Sequence, residues 1–121
     1  MLNRWGSILR YILPLFLCAS PAFAGELASG AAIRAALAGN TVEGSMAASG
    51  GYAEFYAADG SIRAADYAGT WAVKGNKMCF AYGQDPESCW SVEINGASVV
   101  WIGDVGEEGR GAIKPGNPGG W

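Results

Sequence analysis

The sequence predicts a mainly β protein, an antiparallel meander of about eight strands that closes as a small barrel or sandwich. From Thr41 onward, apolar and polar residues alternate with a period of two. Turn signals recur about every 8–12 residues, which is typical of all-β sandwiches and barrels. The dipeptides Asp59-Gly60 and Asn95-Gly96 favour tight hairpins, because type I′ turns need positive φ at both central residues.

Residues 1–24 have the pattern of a secretory signal peptide. Arginines precede a short apolar run, Tyr11–Ala19, and Ala22-Phe23-Ala24 is a small-x-small cleavage site. The run is shorter than the roughly 20 residues that a membrane-spanning helix needs. We therefore predict cleavage after Ala24, export to the periplasm or the medium, and no membrane anchor on the mature chain.

Two weaker alternatives to cleavage after Ala24 concern this segment. They are a retained membrane anchor and a lipid attached to Cys18. Tyr11–Ala19 is expected to be helical and to make few contacts with the β-domain.

The rest of the chain divides into three parts. Residues 25–40 form a short helix and connector, residues 41–115 form the antiparallel β-domain, and residues 116–121 are a flexible Gly/Pro tail. The helix is expected within Glu26–Ala38, with Ser29 as its N-cap and Gly39 at the position of a C-terminal glycine.

The charge of the mature chain excludes several function classes. Six lysines and arginines stand against eleven acidic residues, which gives a formal charge of −5. An acidic domain with scattered cations does not favour nucleic acid or an anionic membrane as partner. The chain has no histidine, so a Ser-His-acid triad is impossible within it.

The cysteine count points to a structural disulfide. Cleavage removes Cys18 and leaves Cys79 and Cys89, and an even pair in a small exported domain is most simply a disulfide. The chain-entropy argument gives about 2.5–3 kcal/mol for so short a loop. No further cysteine or histidine completes a zinc site, so no metal and no cofactor are predicted.

The alternation also predicts which strands pair and in what register. Two-residue turns at Gly75-Asn76 and Asn95-Gly96 place Trp71 opposite Phe80 and Trp90 opposite Trp101, with the large apolar residues on one face. Placing Cys79 opposite Cys89 puts Met78 beside Trp90 and both cysteines on the outer face. The predicted strands are Thr41–Met46, Tyr52–Ala57, Ser61–Tyr67, Thr70–Lys74, Lys77–Tyr82, Cys89–Ile94, Ala97–Ile102 and Gly111–Lys114.

The strand around Glu54 allows two orientations. Either Tyr52, Glu54 and Tyr56 face the interior, or Ala53, Phe55 and Ala57 do. The first orientation gives the barrel a polar-lined cavity, and the second gives it an ordinary hydrophobic core. The following turn is also open: a two-residue turn places Tyr56 opposite Arg63, whereas a three-residue turn that includes Ala58 places it opposite Ile62.

The best candidate binding site consists of Tyr52, Glu54, Tyr56 and Arg63. A carboxylate flanked by tyrosines could bind a cation, or act as a general base if burial raised its pKa. The alternative is an outer sheet face with an ordinary cross-strand ion pair, which stabilises little.

Two other clusters are weaker candidates. Asp104, Glu107 and Glu108 lie in a glycine-rich loop over Gly103–Gly111 that could hold Ca²⁺, but the spacing is not that of an EF-hand, and a solvated hairpin tip is favoured. Three tryptophans on one predicted face could line a pocket, but are more simply core residues. They are Trp71, Trp90 and Trp101.

Several short motifs together carry a resemblance. The sequence resembles a family of small exported bacterial β-rich domains of unknown function, and the match covers nearly the whole mature chain. The resemblance implies a β-rich fold and an exported location. The motifs are Ala-Gly-Asn-Thr-Val-x-Gly at 38–44, Asp-Gly-x-Ile-Arg at 59–63, Gly-x-Trp-x-Val-x-Gly at 69–75, Cys-Phe-x-Tyr at 79–82, Cys-Trp at 89–90 and Gly-Asn-Pro at 116–118.

These observations predict a non-enzymatic module that binds a small molecule or an envelope partner protein, in the manner of a periplasmic inhibitor or accessory protein. The alternatives are a small envelope enzyme that uses Glu54 with Tyr52 or Tyr56, and a purely structural envelope component.

Overall fold

Eight antiparallel strands form one closed barrel in the computed structural model, which describes residues 26–121. Each strand pairs with the next along the chain, and β1 pairs with β8 to close the barrel. The mainly β prediction is confirmed, with a barrel rather than a sandwich. The predicted signal peptide and the Tyr11–Ala19 helix lie outside the described residues. The elements are α1 (Gly30–Leu37), β1 (Asn40–Met46), β2 (Gly50–Tyr56), β3 (Ser61–Arg63), β4 (Ala68–Lys74), β5 (Lys77–Ala81), β6 (Ser88–Asn95), β7 (Ser98–Gly103) and β8 (Gly106–Pro115).

Helix α1 closes one end of the barrel. The side chain of Ser29 caps the helix by accepting from the Ala32 amide at 3.1 Å, and Gly39 ends it with a φ of 79°. The helix begins at Gly30 rather than Glu26, because the preceding residues bond along β6 instead: Leu27 forms a bridge with Glu93. Among the described residues, no helix is long and apolar enough to cross a membrane.

The hydrophobic core occupies the half of the barrel next to α1. Inward side chains from the strands meet the buried face of the helix there, and the core positions are almost free of solvent contact. The residues of this packed half include Ile33, Leu37, Val42, Ile62, Met78, Val92 and Val99.

The predicted registers are confirmed on both sides of β5. Trp71 lies opposite Phe80, and Cys79 lies opposite Cys89, with Met78 beside Trp90. Cys79 and Cys89 form the predicted disulfide. The disulfide therefore joins the neighbouring strands β5 and β6 at directly opposed positions, which alternate along each strand with the inward-facing residues.

The predicted β6–β7 register is wrong by two residues. Asn95 pairs with Ser98, so the loop is Gly96-Ala97 and Trp101 lies opposite Val92 rather than Trp90. Gly96 has a φ of 61° and occupies the first loop position, while the Ala97 carbonyl accepts from the Ile113 amide of β8 at 2.7 Å. A shift of two keeps every side chain on its predicted face.

The Asp59-Gly60 turn takes the three-residue form. The Ala57 amide donates to the Ser61 carbonyl at 2.8 Å, and Tyr56 therefore lies opposite Ile62. The Asp59 carboxylate accepts from the Ser61 amide at 2.9 Å, which fixes the turn through a local side-chain bond.

Two predicted strand boundaries differ from the structure by more than two residues. Strand β3 ends at Arg63 rather than Tyr67, because a turn bonds the Ala64 amide to the Tyr67 carbonyl. The expected loop over Gly103–Gly111 is a tight turn, and β8 already begins at Gly106, whose φ is 120°. An irregularity between Trp101 and Ile102 adjusts the ladder to that turn.

The expected flexible tail, residues 116–121, makes specific hydrogen bonds. The Thr41 hydroxyl donates to the Gly116 carbonyl at 2.7 Å, and the Gly116 amide donates to Asn40 Oδ1 at 3.0 Å. The Asn117 side chain accepts from the Gly120 amide and donates to the Trp121 carbonyl. These bonds fold the last residues against the end of the barrel where β1 begins.

Candidate functional site

Glu54 lies inside the barrel. It is in the middle of β2, opposite Val42 of β1, and only 6% of its surface is exposed. Of the two orientations that the sequence allows for β2, the one with Tyr52, Glu54 and Tyr56 inward is therefore present.

Three tyrosine hydroxyls surround the Glu54 carboxylate. Tyr56 donates to Oε1 at 2.8 Å, and Tyr67 donates to Oε2 at 2.6 Å. The hydroxyl of Tyr82 lies 3.0 Å from Oε1 and 2.8 Å from Oε2. Each carboxylate oxygen thus faces two phenols, and these neutral donors satisfy most of the hydrogen-bonding capacity of the buried carboxylate.

The three phenols come from different parts of the chain. Tyr56 is on the same strand as Glu54, Tyr67 is in the loop between β3 and β4, and Tyr82 follows the last residue of β5. One carboxylate therefore holds together strand β2 and two strand connections, at the end of the barrel away from α1.

A second polar cluster lies beside the first. The indole Nε1 of Trp101 donates to the Tyr52 hydroxyl at 2.7 Å, and that hydroxyl lies 3.4 Å from the Arg110 carbonyl of β8. Tyr52 thereby links the β7 and β8 side of the cavity to the β2 side.

The four tyrosines that line the cavity all have raised pKa values. Desolvation by burial is the largest cause for each, and it raises the pKa of Tyr52, Tyr56, Tyr67 and Tyr82 above the ordinary value of 10.0. The charge of Glu54 raises all four further. These phenols are therefore neutral hydrogen-bond donors at physiological pH.

Above the packed core, the barrel is hollow. A cavity of about 740 Å³ opens at the end opposite α1, within the range of about 300–1,000 Å³ that small-molecule sites occupy. The inner walls are aromatic and the rim is polar. Lining residues include Tyr52, Glu54, Tyr56, Phe80, Trp90 and Trp101, with Ser49, Gln84, Asp85 and Ser88 among the remainder.

Two inward-facing glycines leave space for tyrosine side chains because they lack a Cβ. A Cβ at Gly69 would lie 2.7 Å from the Tyr82 ring, and a Cβ at Gly111 would lie 2.8 Å from the Tyr52 hydroxyl. Neither position accepts a larger side chain without moving a phenol. These two glycines therefore shape the cavity.

The structure separates Arg63 from the other predicted site residues. It pairs with Phe55, places its guanidinium 5.9 Å from the Phe55 ring centroid, and lies 3.8 Å from the Asp59 carboxylate, on the outer face. The expected placement across from Glu54 is wrong because the three-residue turn moves every β3 side chain to the other face.

The remaining candidate residues lie as follows. Trp71 is a core residue that donates to the Ala57 carbonyl at 2.9 Å, whereas Trp90 and Trp101 line the cavity. In the β7–β8 hairpin, Glu107 forms an exposed ion pair with Arg110.

The described part of the chain brings one set of metal-ligating residue types together, namely Cys79, Glu87 and Cys89. Both cysteines are in the disulfide and lack the thiolate that binds metals.

Sequence reasoning missed Tyr67 and Tyr82. Tyr82 continues the inward alternation of Met78 and Phe80 by one more step, so the period of two could have found it. Tyr67 is in a loop, where no periodicity indicates direction.

Comparisons with protein-family models, curated proteins and solved structures gave no match to this chain. The site is therefore interpreted from its own geometry.

Proposed function

We propose that this protein is a binding module that holds one small molecule in the barrel cavity. The observation that carries the proposal is the combination of a packed half and a hollow half in one barrel. A chain of this size has little apolar surface to spare, so an unfilled cavity of about 740 Å³ forgoes packing that would otherwise stabilise the fold.

The chemistry of the walls supports holding a ligand rather than converting it. The Glu54 oxygens already accept from Tyr56, Tyr67 and Tyr82, so three phenols compete with any substrate proton for this carboxylate. A general base needs hydrogen-bond reach to the proton that it removes. The alternative enzyme that uses Glu54 with Tyr52 or Tyr56 is therefore less favoured.

We also propose that the protein works outside the cytoplasm, after cleavage behind Ala24. The disulfide between Cys79 and Cys89 supports this, because such bonds persist in oxidising compartments. N-terminal sequencing of the protein recovered from its host tests the proposal. A start at Gly25 is expected, and an intact Met1 or a start at Cys18 would contradict it.

The binding proposal is tested by a thermal-shift screen of chemically diverse small molecules on three proteins. In Ser88→Trp, an indole at a rim position of the cavity blocks the entrance. Ser98→Trp is the matched control, because Ser98 is exposed on β7 and does not line the cavity.

A ligand at about 100 times its Kd stabilises the native state by about 2.7 kcal/mol. For a small domain, that raises Tm by on the order of 10 °C. The shift is expected in the unmodified protein and in Ser98→Trp, and is expected to disappear in Ser88→Trp. Absence of any shift across the screen, or shifts that persist in Ser88→Trp, would overturn the proposal.

A further inference from the structure

The cavity carries negative charge with no cation facing it. Glu54 lies inside and Asp85 lies at the rim, and among the described residues that line the cavity there is no lysine or arginine. The three ion pairs of the described chain lie elsewhere, on exposed side chains: Arg63–Asp59, Lys74–Glu87 and Arg110–Glu107. The electrostatic complement to this cavity is therefore a positively charged ligand.

The hydrogen bonds of Glu54 restrict what kind of cation fits. Its two oxygens already face the hydroxyls of Tyr56, Tyr67 and Tyr82. An ammonium group with N–H donors would compete with these phenols for the carboxylate oxygens. A quaternary ammonium has no N–H to satisfy, and needs only a negative field and apolar contact.

Aromatic rings supply that contact. Tyr67, which is 43% exposed, and the half-buried Tyr82 meet with ring centroids 6.0 Å apart at 68°, and the half-buried Trp90 also lines the cavity. Rings at steep angles form walls that meet at corners, as in the aromatic cages that hold quaternary ammonium groups through cation–π attraction.

We propose that the ligand carries a quaternary ammonium group, such as trimethylammonium, which lies between the aromatic walls beside Glu54. This inference rests on the proposed binding function and adds the chemical class of the ligand. The polar rim, with Ser49, Gln84 and Asp85, then contacts the remainder of the molecule.

The test uses three probes of one skeleton, titrated by calorimetry and by tryptophan fluorescence. Choline carries a trimethylammonium group, 3,3-dimethyl-1-butanol is its uncharged isostere, and ethanolamine is its counterpart with a primary ammonium. Choline is expected to bind at least about tenfold more tightly than either of the others. Equal or tighter binding of the isostere or of ethanolamine would overturn the inference.

Two variants locate the charge and the rings. Glu54→Gln is expected to weaken choline binding about tenfold and to leave the affinity for the isostere unchanged. Glu43→Gln, on the exposed face of β1, is the matched control and should change neither affinity. If Glu54→Gln does not fold by circular dichroism, Trp90→Leu gives the decisive comparison, with a selective loss of choline affinity expected. An equal loss for both probes would contradict the aromatic contact.

The two proposals fail in different ways. If a neutral compound from the screen binds in the cavity and choline does not, the ligand class is wrong and the binding function stands. If neither choline nor any screened compound binds, both are wrong.

Discussion

The hydroxyl of Tyr82 lies within hydrogen-bond distance of both carboxylate oxygens of Glu54, at 3.0 Å and 2.8 Å. Tyr82 follows β5 immediately, and β5 is joined to β6 by the disulfide between Cys79 and Cys89. The position of this phenol thus depends on one covalent link and one buried charge, and both can be altered separately.

Glu54→Gln is expected to lower the free energy of unfolding by about 1.5–3 kcal/mol, because an amide offers one acceptor oxygen where the carboxylate offers two. The amide nitrogen would face phenols that donate. Urea denaturation followed by circular dichroism measures the change.

The control for this prediction is Glu43→Gln, which makes the same chemical change on the exposed side of β1. Its effect should stay within about 0.5 kcal/mol. Equal effects in the two variants would mean that the hydrogen bonds of Glu54 contribute nothing specific to stability.

Alkaline pH is expected to unfold the protein. The pKa values of Tyr52, Tyr56, Tyr67 and Tyr82 are raised in the folded state, so below the unfolded value of 10.0 these phenols are protonated in both states. Above pH 10 the unfolded chain loses protons that the folded chain keeps, and stability falls as pH rises.

The absorbance of tyrosinate near 295 nm follows this titration directly. Of the five tyrosines in the chain, Tyr11 lies in the proposed signal peptide, so the mature protein has four. None of the four should ionise near pH 10, and all should ionise together with the loss of the folded circular dichroism spectrum. Ionisation of these tyrosines near pH 10 in a protein that keeps its folded spectrum would contradict their raised pKa values.

Reduction of the disulfide is expected to lower stability by about 2.5–3 kcal/mol, through the added freedom of the unfolded chain. Urea denaturation with and without reductant measures the difference. A variant with both Cys79→Ser and Cys89→Ser should match the reduced protein and should not respond to reductant. Rapid alkylation of either cysteine without reductant would show that the bond is absent.

Gly111→Ala is expected to destabilise the protein by about 1–3 kcal/mol, because the added Cβ would lie 2.6 Å from a Val42 methyl and 2.8 Å from the Tyr52 hydroxyl. Gly51→Ala on β2 is the control, since its Cβ would meet nothing nearer than the Gly44 carbonyl oxygen at 3.8 Å. Thermal unfolding of both variants measures the contrast, and a neutral Gly111→Ala would show that Tyr52 moves freely.

The alternation of apolar and polar residues predicted the strand order and which side chains face the interior on most strands. A register shift of one residue would exchange the two faces of a strand, so the pattern fixes the face. It did not decide β2, where Phe55 on one face competes with Tyr52 and Tyr56 on the other. The closed barrel decides it: Glu54 lies opposite inward Val42, and Gly111 leaves room for the Tyr52 hydroxyl.

The site itself was less predictable than the strands. The placement of Arg63 depended on whether a turn has two or three residues, a difference set by local hydrogen bonds of Asp59 and Ser61. Tyr67 reaches Glu54 from a loop, across 13 positions of sequence. Contacts of that kind arise from the closure of the barrel and leave no periodic signal in the chain.

Both ends of the described chain lie at the helix-covered end of the barrel. The Ala28 amide bonds to the Val92 carbonyl near the start of the chain, and Gly116 bonds to Asn40 and Thr41 near its finish. A tag or a surface linker at residue 121 therefore points away from the cavity mouth. The protein can be immobilised on a sensor surface through residue 121 with the entrance still facing the solution.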